Sequence, residues 1–108
     1  MGAPIPSQIA DKLRGRTFNN FDDFRRAFWK EVGNDPELSK QFKRTNQEDM
    51  KNSLSPYSPK LEQVGSRQKY EIHHVQFIKD DGSVYGLDNL RVITPKRHIE
   101  IHSNKEEK

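Results

Sequence analysis

The four histidines of this chain fall in two close pairs. His73 and His74 close the segment Tyr70-Glu71-Ile72-His73-His74, and His98 and His102 bracket His98-Ile99-Glu100-Ile101-His102, with Asn89 between the pairs. The chain has no cysteine, so imidazole nitrogen is the strongest transition-metal ligand it offers. A four-residue spacing stacks His98 and His102 on one helical face. The first pair ends a segment that reads as a strand. A strand end opposite that helix face can hold one metal and still leave a histidine beside it. Such rings are available as neutral ligands at physiological pH, because an unperturbed imidazole titrates at about 6.5.

The spacing excludes one kind of chemistry directly. Zinc proteases use H-E-x-x-H, in which a glutamate follows the first histidine and serves as base. Ile99 occupies that place here. Glu100 falls about 200° around the helix from His98 at roughly 3.6 residues per turn. The protease reading fails at its catalytic residue.

Strands and a helix must position these rings. Residues 69–75 are β-branched and aromatic enough for a strand, which Phe77 and Ile78 can prolong. Asp80-Asp81-Gly82-Ser83 is a turn, and Leu90-Arg91-Val92-Ile93 reads as the returning strand. Thr94-Pro95 gives an N-cap with proline at the first helical position and opens a helix running to about Ser103. Ile99 falls on the side of that helix away from the histidines, toward the strands. One difficulty stands: adjacent His73 and His74 point to opposite faces of a regular strand, so both serve one site only if the strand ends or bulges there.

The part before residue 67 reads as helices with short breaks. Pro6-Ser7 leads into a short helix through Leu13, stopped near Gly15. Asn20, with Asp23 three residues on, forms a capping box. Phe21, Phe24, Phe28 and Val32 then recur at helical spacing, Trp29 widens the stripe, and Gly33 is the expected C-cap. Asp35-Pro36 begins a third helix containing Leu38 and Phe42. Thr45 and Glu48 form a second capping box, starting a short polar helix through Met50 toward Leu54. These apolar residues are expected to be core that holds the C-terminal site rigid. Ser55-Pro56-Tyr57-Ser58-Pro59 breaks the helical pattern and fixes an extended path. Tyr57 has no apolar periodicity to explain it, and an exposed tyrosine on a stiff segment suits protein binding.

Composition narrows the class. At 108 residues, 31% hydrophobic and 32% charged, the chain is one domain with a small core and a wet surface. No apolar run approaches the roughly 20 residues a membrane helix needs, and no signal-peptide pattern opens the chain. Met1-Gly2 reads as an expression start joined to the middle of a longer protein. A net charge of +3 and a pI of about 9.2 are compatible with a polyanionic partner without requiring one.

Taken together, Glu71-Ile72-His73-His74, Asn89 and His98-Ile99-Glu100-Ile101-His102 resemble the HNH, or ββα-metal, endonuclease motif. The likeness is greatest to the DNase domains of nuclease bacteriocins, the colicins and S-type pyocins. It extends to Ala3-Pro4-Ile5-Pro6, Ile9-Ala10-Asp11-Lys12-Leu13-Arg14, Phe21-Asp22-Asp23-Phe24-Arg25, Asp35-Pro36-Glu37-Leu38-Ser39-Lys40 and Thr94-Pro95-Lys96-Arg97-His98, and so covers nearly the whole chain. The resemblance implies an α+β fold, with a helical N-terminal part packed on a C-terminal ββα-metal motif. Residues 1–108 form one nuclease domain, 1–66 as scaffold and exosite and 67–108 as the HNH motif. It would be the C-terminal domain of a longer toxin.

The resemblance also assigns roles. His73, His98 and His102 would ligate one divalent metal. Three histidines favour zinc, nickel or cobalt, and the oxygen-rich chemistry of phosphate favours magnesium. His74 would be the general base that deprotonates the attacking water, a task suited to a group titrating near the working pH. Asn89 would brace the loop that positions it. Arg67 and Glu71 match an Arg/Glu pair that shapes the site and contacts phosphate, and Arg25 matches a basic residue near the DNA groove. Family members also carry a basic stretch before the segment matching Ala3-Pro4-Ile5-Pro6, with an arginine that reaches the phosphate.

Arg25, Arg67, Lys96 and Arg97 are the expected contacts to double-stranded DNA, made to phosphates because nothing here resembles a helix dedicated to base edges. An acidic immunity protein would bind beside the active site, on residues 43–63. Tyr57 would be its anchor, flanked by Leu54 and Pro56, with Lys43, Arg44 and Asn46 as polar specificity contacts. No small-molecule cofactor is implied, and the free domain would be monomeric. The toxin would leave the producing bacterium and act in the cytoplasm of its target. The rival reading is a non-catalytic, metal-stabilised nucleic-acid-binding module. His74 discriminates, since a purely structural site has no use for a fourth histidine.

Overall fold

A computed structural model describes residues 3–74 and 90–106, the side chains of His74 and of residues 102–106 apart. Its elements run β1 (Ala3–Pro4), α1 (Ser7–Leu13), α2 (Phe21–Asn34), α3 (Pro36–Ser39), α4 (Arg44–Lys51), a 3₁₀ turn at Lys60–Glu62, β2 (Glu71–His74), β3 (Leu90–Ile93) and α5 (Pro95–Glu106). The class is α+β, as expected. The proposed turn at 80–83 and the strand extension at Phe77 and Ile78 lie outside the described residues.

The helical half forms around α2. Asn20 Oδ1 accepts from the Asp23 amide at 2.8 Å, which satisfies one of the orphan donors of the first turn. Asp22 and Asp23 place negative charge where the helix dipole favours it. The apolar stripe then drops Phe24, Phe28, Trp29 and Val32 into one core with Ile9, Leu13, Met50, Ile72 and Leu90. Phe24, Phe28 and Trp29 are each 1% exposed. Burying each such ring stabilises by about 1.5–3 kcal/mol. Ile72 and Leu90 belong to the C-terminal strands, so the same core that folds the helices also fixes the strand pair.

Three helix boundaries differ from expectation. Gly33 does not cap α2 but lies buried inside it, and α2 continues to Asn34. A Cβ at Gly33 would meet Lys51 N and Met50 C at 2.9 Å, so this glycine lets the α4 backbone lie against α2. The helix from Pro36 is a single turn ending at Ser39, with Asp35 accepting from the Glu37 and Leu38 amides at 3.0 Å each. Phe42 lies beyond that helix and sets its ring edge-on to Tyr70 at 6.1 Å. Thr45 is the second residue of α4, not its cap. Lys43 takes the cap position without a side-chain bond, and Gln47 Nε2 donates to the Phe42 carbonyl at 2.7 Å.

At its other end α4 stops at Lys51, short of Leu54. The Ser53 amide donates to the Met50 carbonyl and the Leu54 amide to the Asp49 carbonyl, both at 2.9 Å, which is a Schellman motif. Its left-handed position is held by Ser53 at φ 68°, where glycine is usual.

The sheet has the order β1-β3-β2, antiparallel throughout. The two-residue β1 was not anticipated: Ala3 pairs with Val92 and Pro4 with Arg91. A proline is tolerated there because β1 is an edge strand.

Candidate active site and its supports

Glu71 and His73 stand two residues apart on β2 and therefore share one face. α5 lies against that face. His98 Nδ1 is 2.8 Å from Glu71 Oε1, and the His98 ring packs edge-on to His73 with centroids 4.9 Å apart. His73 is only 5% exposed. The ladder runs from Glu71↔Ile93 to His74↔Leu90 without a bulge. The residues that directly follow His74 lie outside the described residues.

Arg67 reaches Glu71 from a tight hairpin. Val64 and Arg67 exchange backbone bonds of 3.0 and 2.9 Å across Gly65-Ser66, and Gly65 has φ +57°. A positive φ at the first central position is what a type II′ turn demands, and glycine supplies it without steric cost. Arg67 then grips Glu71 with both prongs, Nε to Oε2 at 2.9 Å and Nη2 to Oε1 at 2.5 Å. Such a fork fixes the carboxylate in both position and plane.

The electrostatics follow from these contacts. Burial alone would raise the Glu71 pKa, but hydrogen bonds from Arg67 and His98, with their charges, outweigh it and hold the carboxyl below its ordinary value. The bond to Glu71 raises Arg67 in turn. An ionised carboxylate only accepts, so His98 Nδ1 carries the proton shared with Glu71, and in the neutral imidazole that tautomer leaves the Nε2 lone pair for a ligand. This is the carboxylate–histidine arrangement that orients an imidazole toward a metal.

His73 and His98 thus fit a divalent ion as a nitrogen donor pair. Among the described residues no group of three or more possible ligands is gathered. His102, the third expected ligand, lies one turn further along α5. Asn89 lies outside the described residues.

The expected DNA contacts are divided. Arg67 is at the site, and Lys96 and Arg97 are exposed on the first turn of α5. Arg25 lies on α2, paired with Asp22 at 2.7 Å and set over the Phe21 ring at 5.3 Å. One contact was not read from the sequence. Thr94 Oγ1 donates to Glu62 Oε1 at 2.8 Å, joining the 60–62 turn to the start of α5.

Around Tyr57 the structure revises two roles. Asn46 is 4% exposed, and its side chain clamps the Tyr57 backbone, Nδ2 to the carbonyl at 3.1 Å and Oδ1 from the amide at 3.0 Å. It braces the segment and is not a surface contact. Pro56 is fully buried and cannot flank an interface. Tyr57 is 41% exposed and Leu54 48%, while Lys43 and Arg44 face solvent. Leu61, in the same 43–63 stretch, is 87% exposed, and the sequence reading did not single it out. An open cleft beside Tyr57 is lined by Phe42, Lys43, Lys60, Gln63 and Tyr70.

The family model "Colicin/Pyocin-S2, DNase domain" matches residues 1–104. The chain belongs to the colicin and pyocin DNase-domain family. Colicin-E2 of Escherichia coli is 55% identical over 104 residues, 96% of this chain and 18% of that protein. Pyocin-S2 of Pseudomonas aeruginosa is 59% identical over 101 residues, 94% of this chain and 15% of that protein. This DNase domain therefore spans less than a fifth of either relative. The crystal structure of the pyocin AP41 DNase–immunity complex superposes with a TM-score of 0.92 at 46% identity, covering 95% of this chain and 80% of that one.

Proposed function

We propose that the chain is a metal-dependent, largely sequence-nonspecific DNA endonuclease, the killing domain of a bacteriocin kept inactive in its producer by an acidic immunity protein. It acts on DNA in the cytoplasm of the target bacterium. The observation that carries the catalytic reading is the Glu71 carboxylate held between Arg67 and His98, beside His73. The pyocin AP41 complex supports the partner.

His73, His98 and His102 would hold one divalent ion, zinc, nickel, cobalt or magnesium. When bound, the ion supplies Lewis-acid stabilisation of charge on the phosphate and on the leaving oxygen. The chain's own residues do the rest. His74 takes the proton from the attacking water. Glu71 keeps the His98 tautomer fixed, and Asn89 braces the loop beside the base. Arg67, Lys96, Arg97 and Arg25 draw in the DNA backbone, so binding weakens with salt by about 0.9 log units per log unit for each phosphate neutralised. Lys43, Arg44, Leu54 and Tyr57 form the immunity-protein face, held by Asn46 from beneath.

The test is plasmid cleavage with each divalent ion, with and without EDTA. Cleavage should need an added ion and stop with the chelator. His74→Ala should abolish nicking while metal binding stays near wild type, and His98→Ala should lose both. Nicking by His74→Ala at near the wild-type rate would remove that residue as the base.

A further inference from the structure

Glu62 is given no role of its own above, yet it is bonded to Thr94, the residue that leads into the helix carrying His98. Its Oε1 accepts from Thr94 Oγ1 at 2.8 Å across 32 positions of sequence, in a partly buried bond. Thr94 stands just before α5, and its Oγ1 lies 3.4 Å from the Arg97 amide, in the place of an N-cap. A hydroxyl has one proton, and donating it to Glu62 turns the oxygen lone pairs toward the first-turn amides. A carboxylate beside a helix N-terminus is also favoured by the helix dipole. Glu62 lies 4.0 Å from Arg97 Nε as well, but that side chain is 65% exposed, so the ion pair adds little.

Two braces therefore act on α5. One is Glu71 on β2, which holds the His98 ring. The other is Glu62 in the 60–62 turn, which holds the turn from which that ring projects, since the His98 amide donates to the Thr94 carbonyl at 2.9 Å. We infer that Glu62 is a positioning residue for His98, acting through the Thr94 hydroxyl rather than through charge on Arg97. The inference rests on His98 being a ligand of the divalent metal.

Titration of the whole chain with Co²⁺, followed by the ligand-field absorption of the bound ion, tests it. Glu62→Ala should weaken Co²⁺ binding by roughly tenfold, the low end for loss of an outer partner. Glu62→Gln keeps an oxygen for the Thr94 hydroxyl and should recover most of the affinity. Thr94→Val should match the alanine variant. Glu31→Ala, which removes surface pairs with Lys12 and Arg16, should leave binding unchanged and so separates this effect from general loss of stability. Wild-type affinity in Glu62→Ala would overturn the inference, as would equal losses in the Gln and Ala variants. A wild type that binds no Co²⁺ would instead remove the metal reading on which it depends.

Discussion

His98 Nδ1 lies 2.8 Å from Glu71 Oε1, although 27 residues separate the two in the chain. The contact joins the last helix to the second strand at the point where metal chemistry is proposed. It settles which His98 nitrogen is occupied by protein, because a carboxylate can only accept.

Removing that carboxylate should therefore cost affinity without removing a ligand. Glu71→Ala is expected to weaken Zn²⁺ binding by roughly 10- to 100-fold, as loss of a hydrogen-bonded outer partner does. Calorimetric titration of the variant checks this. Binding as tight as wild type would mean that the Glu71 contact does not orient His98.

Asn46 and Tyr57 should separate by what they affect. Asn46→Ala removes both side-chain bonds to the Tyr57 backbone and leaves buried polar groups without partners, a loss of about 1–3 kcal/mol in urea unfolding. Tyr57→Ala should change stability little. It should weaken binding of the immunity protein by more than about 2 kcal/mol while DNA cleavage continues. Equal loss of cleavage and of immunity binding would mean that the two surfaces coincide.

Two glycine exchanges should act in opposite directions. Alanine is the better helix former by about 1 kcal/mol, yet Gly33→Ala should destabilise by about 1–3 kcal/mol, because its Cβ meets α4 backbone. Ser53→Gly should stabilise by roughly 1 kcal/mol, since it relieves a left-handed residue at the end of α4. Thermal melting of both variants distinguishes these signs.

Burial, with the negative charge of Glu62 nearby, raises the pKa of Tyr70 above its ordinary value. The group is neutral in both states below the unfolded tyrosine value of about 10, so its contribution is fully present there. Stability should fall as pH rises through the higher folded value. Tyr70→Phe should flatten that alkaline decline in unfolding measured from neutral to high pH. An unchanged slope would show that Tyr70 is not its source.

The repeat of Phe24, Phe28 and Val32, the Asn20 cap and the Leu90–Ile93 strand were legible because each depends on neighbours within a few residues. The approach of His73 to His98 was not local, but both were singled out because histidine type and spacing carry ligand chemistry before any fold is known. Gly33 was misread for the opposite reason. In sequence a glycine near a helix end looks like a cap, and only the approach of α4 to α2 makes it an interior residue. Thr45 failed as a cap because Arg44 already continues the helix into that position. β1 could not be read from two residues that gain their strand character only by pairing with β3.

The sequence by itself determined the aromatic helical scaffold and marked four histidines as candidates for one site, since helical periodicity and ligand chemistry are local properties. The tertiary structure decided the rest. It placed Glu71 between Arg67 and His98, turned Asn46 inward beneath Tyr57, and bonded Glu62 to Thr94 just before α5. Those contacts cross 4, 27, 11 and 32 residues. Apart from the short Arg67–Glu71 step, no local pattern encodes them. They exist because a shared core brings distant segments to one place, where charge and hydrogen-bond geometry select the partners.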